Sequence, residues 1–236
     1  MCRLMALRSR FAIHQTPRRL VGMQPTFKYP RTMHLPTSPG VHSDDRVLLT
    51  YQGLLNNEVV VTEKMDGENT SLYTHGLHAR SMDGRAHPSR DWVKSFHGTF
   101  AHEIPVGLRI CGENMFAQHS IAYNELESFF YGFSVWQGEM CLSWDETLKW
   151  FDHLGIQAPP ILYRGYFSLA KLDEITSKLD PAKQEGLVVR CTSRFTMADF
   201  GQERPKIAKW VRKGHVQTDE HWMLKDVVPN KLKRQQ

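Results

Sequence analysis

The stretch that decides the fold is Val59 to Tyr73, VVVTEKMDGENTSLY: two runs of strand-forming residues with a lysine, an aspartate and a glycine packed between them. β-Branched and aromatic residues favour a pleated, half-buried backbone, so EVVVTEK and NTSLYTHG read as strands. Alternation along the first puts Lys64 on the face opposite Glu63, at the mouth of a turn. Gly67 lets the backbone turn tightly or lets a ligand come close. A lysine amine has a pKa of about 10.4 in water and becomes a nucleophile only where burial or nearby positive charge lowers that value. By itself the Lys64-x-Asp66-Gly67 pattern fits a solvated strand end as well as a reactive cleft.

Working outward, LHARSMDG reads as a third strand, and SRDWVKSFHGTFAHEI as an amphipathic helix with Ser89 as its N-cap. GLRICGEN and SFFYGFSVW return to strand. SWDETLKWFDHLG is a capped helix ending at Gly155, and LAKLDEITSKLD is another helix. EGLVVRC and KIAKWVR are late strands, and SRFTMADFGQERPK between them is a loop or short helix. Neighbouring strands are joined by turns as well as by helices, which predicts an α+β domain with largely antiparallel sheets flanked by helices.

The chain has 236 residues, 41% hydrophobic and 23% charged, enough to bury a substantial core. No apolar run reaches the roughly 18 residues of a membrane span. Cys2, Cys111, Cys141 and Cys191 are far apart, which argues against a disulfide framework or a structural zinc site and favours an intracellular setting. The histidines, His75 and His78 or His215 and His221 among them, lack metal-ligand spacing.

The formal net charge of +5 is unevenly spread. Seven of the 30 Lys/Arg and none of the 25 Asp/Glu precede residue 44, so the rest of the chain is slightly acidic. Residues 1–27 form a basic extension that reads as an organellar targeting segment, a disordered arm, or a translation start placed upstream of Met23. The Pro-rich KYPRTMHLPTSPGVHSDD then leads, in extended or loop-like form, into the body of a domain spanning residues 28–236.

An ordered set of further groups accompanies Lys64. ICGEN ends a strand in Glu113, and FFYGFSVW carries Phe133 twenty residues later. EGLVVR begins with Glu185, and KIAKWVR offers Lys206, Lys209 and Arg212. Phosphoryl charge needs cations, a magnesium ion needs carboxylates, and a nucleobase needs a flat partner.

Taken in order from Glu63 to Arg212, these elements resemble the covalent nucleotidyltransferases, and within them the ATP-dependent RNA ligases of the RNA ligase 2 type; HARSMDGRAHPSRDW and RICGENMFAQHSIAY are similar to members of that family. The resemblance implies an ATP-grasp-like ligase adenylation domain that uses ATP and Mg²⁺ or Mn²⁺. Lys64 would attack the ATP α-phosphate, AMP would pass to an RNA 5′-phosphate, and a 3′-hydroxyl would displace it. It implies that Glu63 contacts adenine, that Asp66 and Gly67 complete the first motif near ribose or metal, and that Arg80 holds the ribose and the RNA end, with Arg85 and Arg90 as rivals. Glu113, Glu185 and Asp66 would serve the metal, and Phe133 would stack on adenine, although Phe129, Tyr131 and Phe133 share one strand face by alternation and any of them also suits a core.

The family's last motif has two lysines one residue apart; here the strand reads KIAKWVR. Lys209 is the first choice for the phosphate, with Lys206 and Arg212 next. Alternation puts Lys209 on one face and Lys206 and Arg212 on the other, so the three share a cleft only if a bulge intervenes. The 24 residues after Arg212 are too few for an OB domain. The expectation is therefore a monomeric minimal domain that grips RNA ends alone or with an accessory protein. A DNA ligase, a capping-type guanylyltransferase and a non-catalytic nucleotide or RNA-end binding module are the alternatives.

Overall fold

The computed structural model describes residues 25–82, 86–214 and 226–234. Two antiparallel sheets carry the site. Strands β1 (Glu58–Glu63), β2 (Glu68–Tyr73), β3 (Gly76–Ala79), β4 (Leu108–Asn114), β5 (Phe130–Gln137), β6 (Met140–Cys141), β7 (Ile161–Tyr166), β8 (Gly186–Cys191), β9 (Phe195–Thr196) and β10 (Ile207–Val211) alternate with helices α1 (Asp91–Phe100), α2 (Trp144–Leu154) and α3 (Leu169–Ser177). One sheet has the order β10-β8-β1-β7 and the other β3-β2-β4-β5-β6-β9. Residues 64–67 are thus the crossover from β1 in one sheet to β2 in the other.

Gly67 is required there by packing: a Cβ would sit 2.4 Å from the carbonyl oxygen of Asn114. The crossover is pressed against the end of β4, leaving no room for a side chain.

Apolar residues from both sheets and the helices decide the arrangement. Val59 and Val61 of β1, Leu187 and Val189 of β8 and Ala208 of β10 bury against Leu172 and Ile175 of α3. Leu72, Ile110, Phe130 and Val135 of the second sheet bury against Val93 and Phe100 of α1 and Phe151 and Leu154 of α2. Each of the Val, Leu, Ile and Phe side chains contributes about 1.5–3 kcal/mol. Tyr29, Cys111, Trp136, Phe195, Phe200 and Ile207 form a third cluster that joins the two sheets.

The local signals hold where they are strong. Ser143 and Glu146 form a capping box on α2, and Gly155 ends it at φ 67°. At α1 the expected cap is displaced. Pro88 opens a 3₁₀ turn over Pro88–Arg90, His87 accepts from Ser89 N, and Arg90 takes the N-cap position of the helix. The third strand stops at Ala79, and Met82 sits at φ 58°. Residues 83–85 and the basic extension up to residue 24 lie outside the described residues, as do Arg85, Cys2, His215 and His221. Cys111, Cys141 and Cys191 are buried free thiols.

The Pro-rich lead-in is extended, and it is also part of the sheet. Lys209 N donates to Met33 O at 2.9 Å and Leu35 N to Lys209 O at 2.7 Å, laying residues 33–35 along the outer edge of β10. Leu35, Leu48 and Leu54 join the first core cluster. The lead-in covers an edge that would otherwise expose unpaired backbone groups. No helix among the described residues is long and apolar enough to cross a membrane.

Candidate active site

A cavity of about 490 Å³ opens where the two sheets meet at the crossover. Lys64, Asp66 and Gly67 line it from the crossover itself, with Glu63 at the end of β1, Arg80 after β3, Glu113 on β4, Phe133 on β5, Glu185 before β8 and Lys209 on β10. The structure therefore brings these nine sequence-derived candidates, and the rival Arg90, into one cleft.

The centre of the site is an ion pair. Lys64 Nζ lies 2.5 Å from Glu185 Oε2, and its backbone N donates to Gly186 O at 2.9 Å, fixing β1 and β8 in the register that faces the two side chains. Burial opposes the charge on Lys64, but Glu185, Glu113 and Asp66 outweigh it and hold its pKa above the ordinary lysine value. Burial also raises both glutamates. Glu185 is held up despite Lys64, and Glu113 is pushed up to about 8, with Glu185 and Asp66 adding to the effect. Lys209 moves the other way, down to about 8, because burial and the Lys64 charge outweigh Asp45 and Glu185. The arrangement is an acidic group of side chains with one lysine locked into it and a second, weakened lysine alongside.

Among the described residues no three His, Cys, Asp or Glu side chains converge as metal ligands. Asp66 explains part of this. Its Oδ2 accepts from Ser120 N at 2.8 Å, Ser120 Oγ at 2.6 Å and Ile121 N at 3.0 Å, so this carboxylate anchors the loop after β4. Glu113 and Glu185 flank Lys64 without a third ligand beside them.

Phe133 is separated from its neighbours by a β-bulge. In the β4–β5 ladder Cys111 pairs with Ser134 and Gly112 with Gly132, so Phe133 has no partner on β4. A bulged residue is re-aimed relative to the strand. Phe129 and Tyr131 go to a separate cluster with Met65 and Met115, and Phe133 lies half-buried at the cavity wall with Tyr29 edge-on at 5.2 Å. The strict alternation that placed the three rings on one face fails at this point.

Buried Arg190 supports the bulge: its Nη1 donates to Phe133 O at 3.2 Å and its Nη2 to Leu142 O at 2.9 Å, with the guanidinium over Trp144 and Phe195. Glu63 is half-buried and accepts from Gln184 Nε2 at 2.9 Å, and burial raises its pKa.

The rival arginines separate. Arg90 also lines the cavity, but it is buried and doubly bonded to Glu68, a pairing that fixes the start of α1 to β2. Arg80 reaches the cavity, with Nε 3.4 Å from Tyr29 O. On β10 only Lys209 of the three basic residues lines the cavity. The Lys206 charge acts on Cys191, on the far side of the sheet. Arg212, past the strand end, reaches Ser120 Oγ at 3.4 Å and so stands behind Asp66.

Several cavity residues carried no sequence signal: Arg31, Asp45 and Arg46 of the lead-in, His119 of the loop after β4, and Arg190. Their spacing follows no motif. Tyr123 and Asn230 were missed as well. Tyr123 Oη accepts from Asp66 N at 3.3 Å, and Asn230 binds the Asp66 loop through Tyr123 N at 2.9 Å, Met115 O at 2.8 Å and Ala117 O at 3.3 Å.

The chain resembles solved ligases at the level of fold. An archaeal ATP-dependent RNA ligase described as form 1 superposes with a TM-score of 0.52, at 18% identity, covering 78% of this chain and 48% of that one. A second form gives 0.54 and 19%, with the same coverage. An RNA ligase of Naegleria gruberi solved with ATP and Mn is also similar, at a TM-score of 0.45 and 18% identity, over 67% of this chain and 50% of that one. This chain thus spans about half the length of each of these structures. No curated protein matches it. A family model described as RNA ligase matches residues 57–211, from β1 through β10, the span that carries Lys64, Glu113, Glu185 and Lys209; the chain belongs to the RNA ligase family.

Proposed function

We propose that this chain is an ATP-dependent RNA ligase that joins an RNA 5′-phosphate to a 3′-hydroxyl through a lysyl-AMP intermediate on Lys64. The observation that carries this reading is the Lys64 amine, set in a cavity large enough for a nucleotide, between two carboxylates and next to a second lysine. Phe133 offers a flat face for the adenine, and Arg80 a cation for the ribose or the RNA end. Lys209 is the group for the α-phosphate.

In the first step the Lys64 nitrogen forms a bond to the α-phosphorus of ATP, and pyrophosphate leaves. Lys64 must first give up a proton that Glu185, Glu113 and Asp66 favour keeping. In the second step an oxygen of the RNA 5′-phosphate displaces Lys64 from the α-phosphorus. In the third, the 3′-hydroxyl attacks that 5′-phosphorus and AMP leaves. Arg80 and Lys209 hold the phosphoryl oxygens through all three steps.

The donor set fits a magnesium or manganese ion bound mainly by water and phosphate, because such ions accept one or two carboxylates and keep several waters. Glu185 and Glu113 would hold it. When bound, the ion supplies positive charge that neutralises these carboxylates and the phosphates.

The test is incubation with ATP labelled at the α-phosphate and Mg²⁺, then with nicked RNA duplex carrying a 5′-phosphate. The expected result is an acid-labile labelled protein band, absent in Lys64→Ala, that is chased into sealed RNA. A folded protein that binds ATP but forms no band with ATP or GTP would make it a binding module instead.

A further inference from the structure

The lead-in, which lies outside the span matched by the ligase family, builds a closed ring of contacts on β10 around Lys209. It starts at Val211, whose backbone N donates to Ser38 Oγ at 2.9 Å. Ser38 Oγ lies 2.8 Å from His34 Nδ1, His34 Nε2 faces Asp45 Oδ2 at 3.3 Å, and Asp45 Oδ1 lies 3.8 Å from Lys209 Nζ. The ring therefore leaves β10 at Val211 and returns to it two residues earlier.

Its proton order follows from its ends. Ser38 accepts from Val211 N and has one proton of its own to give. The Val211 carbonyl is at 3.3 Å and His34 Nδ1 at 2.8 Å, so the shorter contact receives it. That leaves the ring proton of His34 on Nε2, the nitrogen that faces Asp45 Oδ2 at 3.3 Å without closing a well-aligned hydrogen bond. His34 is fully buried, and burial, with Lys209 adding to it, drops its pKa to about 4, which keeps the ring neutral at physiological pH. Asp45 is further fixed by His42, whose backbone N donates to Oδ2 at 3.0 Å and whose carbonyl accepts from Asp45 N at 3.1 Å.

Lys209 needs such support. Its amine shares the cavity with Lys64 and Arg80, whose like charges act on it. The opposing charges on it are Asp45 from the lead-in and Glu185 from the head of β8. A flexible four-carbon side chain flanked by like charges would turn to solvent unless something held it.

The geometry points to Asp45 as a positioning residue for Lys209, aimed by the buried His34 and Ser38, so that the lead-in orients the phosphate-binding amine. The inference rests on the reading of Lys209 as the α-phosphate ligand.

A double-mutant cycle on the rate of lysyl-AMP formation at saturating ATP tests it, with Asp45→Asn, Lys209→Met and the double variant, each checked for folding by thermal melt. Misplacing a reacting or binding group by about 1 Å costs on the order of 100-fold. Asp45→Asn is expected to slow the step by about that factor in the wild-type background and to have almost no effect once Lys209 is Met, because residues acting as a unit are non-additive. His34→Gln, which keeps a donor near the Nε2 position, should retain most of the rate that His34→Ala loses. A loss from Asp45→Asn that multiplies with that of Lys209→Met, or wild-type rate in Asp45→Asn, overturns the inference and leaves the ligase reading intact. Full adenylylation by Lys209→Met overturns the phosphate role of Lys209, and the inference with it.

Discussion

Lys64 and Glu185 are 121 positions apart in the chain, yet amine and carboxylate lie 2.5 Å from each other, and the same glutamate passes its backbone carbonyl to Arg212 N at the end of β10. One residue thus ties Lys64, the proposed nucleophile, to the strand that carries Lys209, the proposed phosphate ligand. In the resting protein the lysine is consequently charged, and its nucleophilicity depends on how that charge is removed.

This sets the pH dependence of the first step. The carboxylates raise the Lys64 pKa, so the neutral amine is a small fraction at neutral pH and grows as pH rises. The rate of lysyl-AMP formation at limiting cation concentration should therefore climb, by about tenfold per pH unit for a single deprotonation, in the neutral range. Single-turnover labelling across pH checks it, and a flat profile would count against Lys64 as the titrating nucleophile.

Glu113 should trade stability for function. Its carboxyl titrates near 8 in the folded chain and near 4.5 when unfolded, so the folded state holds an extra proton between those values and loses stability as pH rises through that window. Glu113→Gln is expected to melt higher than wild type at pH 8, by about 2–4 °C per kcal/mol relieved, with the gap closing towards pH 4.5. Its adenylylation should fall at the same time. For the wild type, the cation concentration giving half-maximal rate should rise as pH drops below about 8, because a ligating Glu113 must shed its proton.

Phe133→Ala should weaken ATP use selectively. Stacking of a base on an aromatic ring is worth about 1–3 kcal/mol, so half-saturation by ATP should rise by roughly 5- to 150-fold, while Phe133→Tyr keeps the ring and most of the affinity. Titration of single-turnover rates against ATP measures both. Equal affinities for the Ala and Tyr variants would reduce Phe133 to a wall of the third core cluster.

Much of this site was legible in the sequence because chemistry there coincides with strong local signals. Lys64 ends a Val-rich strand, Glu113 and Glu185 sit at strand termini, and Lys209 lies between Ile207 and Val211 in an apolar run. The half-exposed edge strand β7, ILYRGY, went unread: it pairs only with β1, so its side chains face water as often as the core and the alternation is blurred. Ser89 looked like a helix cap because a Pro-initiated 3₁₀ turn inserts before α1. Phe133 could not be told from Tyr131 because a bulge depends on pairing with another strand. His34 and Asp45 are invisible for a similar reason: they contact each other locally, but the residue they serve, Lys209, lies 164 positions beyond Asp45.

Asn230→Ala should loosen the loop after β4. This side chain is 4% exposed and makes three hydrogen bonds to the backbone of that loop, so its removal leaves buried partners unpaired at about 1–3 kcal/mol. The expected outcome is a lower Tm and faster proteolytic cutting within residues 115–126, measured by limited digestion with mass mapping of the fragments. A loop as resistant as wild type would show that Ser120 and Ile121, through Asp66, hold it without help.

The Asn230 contact also has a bearing on how the protein is made. Asp66 is held by a loop that is itself pinned by a residue 107 positions beyond Tyr123. A ribosome adding about 5–20 residues per second needs several seconds to cover that distance. Through that interval β2 and β4 can already pair, and β1 can pair with β7 and β8 as they emerge, while the loop that holds Asp66 still lacks its last fastener. Lys64 would thus acquire its final surroundings late in translation, after the strands around it have formed.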